Sequence, residues 1–258
     1  MSTLTLSLVQ TPLVWEDPVA NRAMLEEKIG MLEGPTDVIV LPELFTTGFT
    51  MNAASFAEVP DLTTTRWMRQ QAVRTGAAVT GSFIVREGGQ YYNRLLWMPP
   101  EGPYQTYDKR HCFRMAGEHE VYTPGTRRLV VAWKGWRICP LICYDLRFPV
   151  WSRNTPQEFD LLLYVANWPA ARSPAWRTLL AARAIENLCY VAGLNRVGED
   201  GHGVPHSGDS TVLDFRGQPL SYQHSLEVIH SETLNYKDLS TFREQFPAHL
   251  DADAFTLT

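Results

Sequence analysis

The sequence predicts an α/β protein built on a mixed β-sheet with helices packed against it. Three short apolar runs carry that prediction: Asp37 to Leu41, Arg137 to Ile142 and Asp160 to Ala166, each bounded by polar or turn-forming residues. Runs of this length fit strands buried on both faces. Segments with helical spacing alternate with them, and Glu87-Gly88-Gly89 signals a hairpin. Parallel and antiparallel pairings are therefore both expected.

Taken in order, Thr5 to Gln10 alternates like a strand, and Asn21 to Leu32 spaces Met24, Ile29 and Leu32 as a helix. The buried strand before Glu43 follows, and Thr63 to Thr75 reads as a second helix. Ala77 to Val85 and Tyr91 to Met98 form the arms of the hairpin. Pro174 suits a helix start, where its missing N–H costs nothing, and the helix continues through Trp176 to Leu188. Cys189 to Asn195 and Ser210 to Asp214 read as strands, with Ser207 to Ser210 as a turn into the second. Gly201-His202-Gly203 reads as a mobile loop. No repeat, linker or low-complexity stretch divides the 258 residues.

Composition narrows the function classes. A hydrophobic share of 45% with 11% aromatics fits a chain that buries a core, not a disordered one. The net charge of −5 gives no general footprint for nucleic acid, although it leaves room for a local basic pocket. Met1 to Thr5 lacks the basic and apolar regions of a signal peptide, and no run reaches the length of a membrane span. Four cysteines are too few for a disulfide scaffold in a chain this long, and a catalytic thiol must stay reduced. A cytoplasmic enzyme, bound to neither membrane nor nucleic acid, is the expectation.

The chemistry is written at the strand ends. In open α/β sheets, ligands bind beyond the carboxyl edge of the strands, and Cys143 falls there, at the end of the run in LICYDLRFP. A thiolate is a strong nucleophile near neutral pH; the alternative is a small buried hydrophobe. Glu43 ends the first run, and Asn167-Trp168-Pro169 ends the third. Lys109 interrupts a short strand-like segment between them, so Glu43, Lys109 and Cys143 are separated by 66 and 34 residues. The C-x3-C spacing of Cys139 and Cys143 is not that of a redox pair, and no second cluster offers zinc ligands. Cys112 and Cys189 read as core or near-core thiols, and His111, His119, His202 and His206 as scattered through loops. A papain-like pairing of Cys143 with His202 or His206 lacks its local signature.

Three motifs, LPELF around Glu43, YDKRHCF around Lys109 and LICYDLRFP around Cys143, resemble the nitrilase superfamily of carbon–nitrogen hydrolases. Within it, MAGEH (115–119), CYDLRFPVWSRN (143–154), YVANWPAARSPAW (164–176) and ARAIENLCYVAGLNRVG (182–198) are similar to the bacterial ω-amidases, or 2-oxoglutaramate amidases. The resemblance implies a four-layer α-β-β-α sandwich, with residues 1–258 forming one domain. It implies a Glu43-Lys109-Cys143 triad that hydrolyses the terminal amide of 2-oxoglutaramate, or of 2-oxosuccinamate, through a Cys thioester.

In that scheme Glu43 moves the protons, while the Lys109 ammonium and the Tyr144 backbone N–H hold the oxyanion. A lysine beside the thiol is also expected to lower its pKa. Glu118 matches a second glutamate that lines the site in the superfamily; a surface carboxylate is the alternative. Arg147 is either a bidentate clamp for a substrate carboxylate or part of a structural ion pair. Asn167 and Trp168 either line the pocket or form a tight strand exit.

No cofactor and no metal is implied, and a homodimer is expected. Metabolite repair is the suggested role, because 2-oxoglutaramate arises when glutamine is transaminated. A nitrilase, a carbamoylase or an amidase for another small amide would share the triad. A catalytically silent metabolite-binding member would not need it intact.

Overall fold

Residues 3–155 and 157–255 are described in a computed structural model. The strands are β1 (Thr3–Gln10), β2 (Val38–Val40), β3 (Ala78–Glu87), β4 (Gln90–Met98), β5 (Gln105–Asp108), β6 (Val131–Trp133), β7 (Trp136–Ile142), β8 (Leu161–Ala166), β9 (Tyr190–Asn195), β10 (Val197–Glu199), β11 (Pro205–Leu213), β12 (Pro219–His224) and β13 (Val228–Asn235). The helices are α1 (Pro18–Gly30), α2 (Ala53–Phe56), α3 (Thr63–Thr75), α4 (Glu118–Val121), α5 (Ser173–Asn187) and α6 (Tyr236–Gln245).

Two sheets result. One runs β13-β1-β2-β3-β4-β5; the other runs β10-β11-β9-β8-β7-β6, with β12 beside β11. Side-chain alternation along the strands produces the layering. Leu4, Leu6 and Leu8 of β1, Val38 and Val40 of β2, and Leu95 and Trp97 of β4 join one apolar core with β7, β8 and β9 of the other sheet. Their neighbours Val9, Ile39, Leu96 and Met98 face the opposite way and pack with Leu25 and Ile29 of α1 and Trp67 and Met68 of α3. On the far side α5 covers β9 and β11, burying Trp176, Leu180 and Ala184. The order is helices, sheet, sheet, helix: the α-β-β-α sandwich that the resemblance implied.

Most predicted elements are present within a few residues. Helix α1 begins three residues ahead of Asn21, because the Asp17 carboxylate accepts from the Val19 and Ala20 amides and Pro18 occupies the first turn. The hairpin turns at Gly88 and Gly89, both at positive φ, a conformation that glycine adopts without a steric penalty. Two predictions need correcting. His119 and His206, expected in loops, lie in α4 and β11. Ser207 to Ser210 is not a turn but part of β11, where a bulge between Gly208 and Ser210 places Asp209 at φ 59°.

The pattern of the sequence does not identify β12, β13 or α6. Strand β13 is an edge, paired antiparallel with β1 from Thr3↔Asn235 to Gln10↔Val228, and much of it is polar and partly exposed. Such a segment lacks the apolar run that marks a central strand. No helix among the described residues is long and apolar enough to cross a membrane.

Candidate active site

Four strand ends meet at one place. Glu43 follows β2, Lys109 follows β5 directly, Cys143 follows β7 directly, and Asn167 follows β8 directly. The first two come from one sheet and the last two from the other, so the site sits at the seam of the sandwich. Cys143 opens a short 3-10 turn (Cys143–Arg147) at φ 45°, and Leu44, next to Glu43, has φ 42°. Left-handed backbone at non-glycine residues is costly and persists only where surrounding contacts over-determine it. Here the Leu44 amide donates to Ser82 Oγ at 2.9 Å and the Phe45 amide to the Ser82 carbonyl at 2.9 Å.

Lys109 is the centre of the floor. Its Nζ donates to Glu43 Oε1 at 2.8 Å and to both Glu118 oxygens at 2.9 Å, and all three side chains are at most 1% exposed. Burial opposes the ammonium, but the Glu118 and Glu43 carboxylates outweigh it and hold Lys109 well above the ordinary lysine range. Burial raises the Glu118 carboxyl; Lys109 pulls it down, and the like charge of Glu43 pushes it up again. Asn93 Nδ2 bridges the two acids, at 2.9 Å from Glu43 and 3.4 Å from Glu118. The remaining Glu43 oxygen accepts from the Asn167 amide at 2.8 Å, while Asn167 Nδ2 donates to the Glu43 carbonyl at 2.5 Å. Glu118 is therefore a buried part of the site, at the start of α4, and not a surface acid.

Cys143 lies beside this cluster, with Sγ 3.9 Å from the Asn167 carbonyl oxygen. The expected lowering of its pKa does not occur. Burial, and then the Glu43 charge, push the thiol well above its ordinary value, and the opposing pull of Lys109 does not compensate. Lys109 is already neutralised by two carboxylates, so little of its field is left to stabilise a thiolate.

Asp145 holds the Cys143 turn against the lysine segment. Its Oδ2 accepts from the Ile142 amide at 3.1 Å and from Tyr107 Oη at 2.7 Å; its Oδ1 accepts from the His111 amide at 3.0 Å. His111 Nδ1 lies 2.7 Å from the same Oδ1, and Trp151 Nε1 donates to Tyr107 Oη at 2.9 Å. Tyr107 and His111 flank Lys109 at two residues on either side. One buried carboxylate thus ties the Cys143 turn to the Lys109 segment. Gly125 supports it from behind: its amide donates to the Lys109 carbonyl at 2.9 Å, and a Cβ there would meet the Asp108 carbonyl oxygen at 2.1 Å.

Above Cys143 opens a pocket of about 360 Å3. Tyr144, Arg147, Asn167 and Trp168 all line it, as do Phe49, Phe113, Arg172, His202 and His206. The Arg147 guanidinium stacks over the Trp168 ring at 5.1 Å and makes no ion pair among the described residues, so its structural alternative finds no partner. His202 is part of the pocket wall and packs edge-on against Trp15 at 5.1 Å. His206 is buried on β11; burial depresses its pKa to about 4, so it is a neutral imidazole. Cys139 is a buried core thiol within β7, and Cys189 is also buried.

Sequence reasoning missed Asn93, Asp145, Tyr107, His111 and Arg172. A signal existed for Asn93, which shares a strand face with Leu95 and Trp97 and is the lone amide on that apolar stripe. Asp145 had none, because the partners that tie it to the lysine segment, His111 and Tyr107, are 34 and 38 residues away.

A thiol, two carboxylates and a lysine at the floor of a pocket define a class of nucleophilic hydrolases, and the relatives agree. Residues 5–230 match the carbon-nitrogen hydrolase family, and the chain belongs to it: this is a hydrolase of carbon–nitrogen bonds. More narrowly, the chain is 50% identical over 258 residues, all of both chains, to the ω-amidase YafV of Yersinia enterocolitica. It is 32% identical over 251 residues, 96% of each chain, to the 2-oxoglutaramate amidase of Bacillus subtilis (strain 168). Among solved structures it resembles XC1258 of Xanthomonas campestris, a CN-hydrolase superfamily protein with an arsenic adduct in its active site. The TM-score is 0.97 and the identity 49%, with all of both chains covered.

Proposed function

We propose that this chain is an ω-amidase that hydrolyses the terminal amide of 2-oxoglutaramate, and of its shorter homologue 2-oxosuccinamate, to the 2-oxo acid and ammonia. The observation that carries the reading is the Lys109 ammonium held between Glu43 and Glu118 beside Cys143, at the floor of a pocket rimmed by guanidinium groups. The ω-amidase and 2-oxoglutaramate amidase relatives support the choice of substrate.

An amide is a weak electrophile, so the thiol, the oxyanion and the leaving amine each need help. Because Cys143 is held as a thiol, Glu43 takes its proton as Sγ attacks the amide carbon. Lys109 Nζ and the Tyr144 N–H, in the first turn after the nucleophile where amides lack an intrahelical acceptor, hold the developing oxyanion. Asn167 Oδ1 is buried without a partner among the described residues, which supports its accepting an N–H of the substrate amide. Glu43 then protonates the nitrogen, the C–N bond breaks, and ammonia leaves a thioester on Cys143. Water attacks that thioester as Glu43 takes its proton; the C–S bond breaks and the thiol is reprotonated. Glu118 keeps Lys109 charged and in place throughout. The superfamily resemblance supports a homodimer as the working unit, which light scattering would read as twice the chain mass.

The test is ammonia release from 2-oxoglutaramate, glutamine, asparagine, an N-carbamoyl amino acid and a simple nitrile, by wild type and Cys143→Ala. Fast release from the 2-oxo amide, reduced roughly 10^4-fold or more in the variant, is expected. Release mainly from another compound would keep the triad and discard the ω-amidase assignment. Silence on all five, with tight binding of one, would favour a metabolite-binding protein.

A further inference from the structure

The formal charge of the pocket changes sign from floor to rim. At the floor one ammonium faces two buried carboxylates, Glu43 and Glu118, a net charge of −1. A substrate carboxylate is repelled from that end. At the rim stand two guanidinium groups, the exposed Arg147 and the half-buried Arg172. Arg172 lies at the end of the short turn Ala170–Arg172, just before α5. Its guanidinium sits over the Phe113 ring at 5.2 Å, while its carbonyl accepts from Trp168 Nε1 at 2.8 Å. Trp168 is the ring beneath Arg147, so one indole links the backbone of Arg172 to the guanidinium of Arg147.

Neither arginine pairs with a carboxylate among the described residues. Asp200, which also lines the pocket, accepts from the His202 and Val204 amides on one oxygen and keeps its charge, so the two arginines leave the rim with a formal charge of +1. Between rim and floor the wall is largely apolar, with Phe49, Met51, Phe113 and Pro169. Guanidinium groups parked on aromatic faces are preorganised and weakly hydrated, so docking a carboxylate costs them less conformational freedom than it would cost a free side chain.

Resting on the ω-amidase reading, we infer that Arg172 is a specificity-determining residue. With Arg147 it receives the carboxylate at the end of the substrate remote from the amide. The charge gradient then sets the orientation, carboxylate at the rim and neutral amide at the floor. It also favours release, because hydrolysis creates a second carboxylate beside Glu43 and Glu118, where it is repelled.

Two measurements on wild type, Arg172→Gln and Arg172→Lys test this. The first compares kcat and KM for 2-oxoglutaramate and for pentanamide, an uncharged amide of the same carbon chain length. The glutamine variant should lower the ratio of kcat/KM for the two amides roughly 10- to 100-fold, the range for one hydrogen bond to a charged group. Most of the change should appear in KM, with partial rescue by lysine. The second measures protection of Cys143 from iodoacetamide by 2-oxopentanoate, which carries the carboxylate and oxo group but no amide; Arg172→Gln should weaken it by a similar factor.

Turnover of 2-oxoglutaramate by wild type, with an unchanged ratio and unchanged protection in Arg172→Gln, sinks the inference and leaves the ω-amidase reading standing. No turnover, but Arg172-dependent protection, does the reverse. Neither turnover nor protection in wild type removes both.

Discussion

Two three-residue ion clusters, each built around a buried central charge, lie in this molecule with opposite stoichiometry. In the active site one cation, Lys109, is shared by two anions, Glu43 and Glu118. At the amino ends of β7 and β8 one anion, Asp160, is shared by two cations: Arg137 Nη2 at 2.8 Å and Arg243 Nη1 at 2.7 Å. Burial alone would raise Asp160, but hydrogen bonds from the two arginines outweigh it and hold the carboxyl below the ordinary range. Glu118 is shifted upward, first by burial and then by the like charge of Glu43, which its one cation does not offset. A surplus of cations makes a carboxylate permanently ionised and structural. A surplus of carboxylates does the reverse: after burial, the larger cause, the Glu43 charge holds the neighbouring thiol well above its ordinary pKa.

The contrast is broken most severely at the anionic cluster. Glu43→Gln should lower kcat/KM for the preferred amide about 10^2- to 10^4-fold, the usual range for a lost general base. It should also lower the Cys143 pKa, because burial remains but the opposing charge is gone. The pH profile of iodoacetamide alkylation checks this. In wild type the rate should keep rising above the ordinary thiol range, and in the variant the rise should come at lower pH. An identical profile in both proteins would show that Glu43 does not control the thiol.

Next in size is stability. Asp160→Asn leaves two arginines around a neutral amide, with Arg243 buried, and should cost about 3–5 kcal/mol, on the order of 10 °C in Tm. Glu118→Gln leaves Lys109 paired with Glu43, so it strands no buried charge and should cost less than Asp160→Asn, although activity falls. The two differ in sign with pH. Asp160 has a depressed folded pKa, so its contribution is full above the unfolded value near pH 4 and is lost as pH falls through the lower folded value. Glu118 has a raised folded pKa, so its ionisation costs stability as pH rises through that value, and the variant gains on wild type there. Urea unfolding at several pH values separates the two; equal losses at neutral pH would erase the distinction.

The smallest effect belongs to Cys139→Ala, far from both clusters in charge. Removing one buried sulfur from the core should cost about 1 kcal/mol and leave turnover close to wild type. A loss comparable to that of Cys143→Ala in a folded protein would revive a thiol redox mechanism.

Much of the site is legible in the amino-acid sequence. Glu43, Cys143 and Asn167 each end an apolar run, and the length of the runs with the strand-edge rule places such residues at a ligand site. The motif resemblance supplies the two residues without a strong local signal, Lys109 and Glu118. The polar edge strand β13 and the bulge at Asp209 are not legible, because neither has the pattern of an isolated strand. Nor is Asp145, whose bonds to Tyr107 and His111 cross 38 and 34 residues of chain.

What the sequence determined by itself is local: which segments are strands and helices, where each strand ends, and which reactive group stands at that end. These follow from interactions between near neighbours, whose periodicity a single chain displays. The tertiary structure alone decided the electrostatics. Whether Lys109 activates the thiol or is spent on two acids, and whether Arg147 and Arg172 stand unpaired, depends on charges and burial summed over residues brought together from all along the chain. Coulomb energies scale with distance and dielectric, and neither quantity exists until the two sheets have packed.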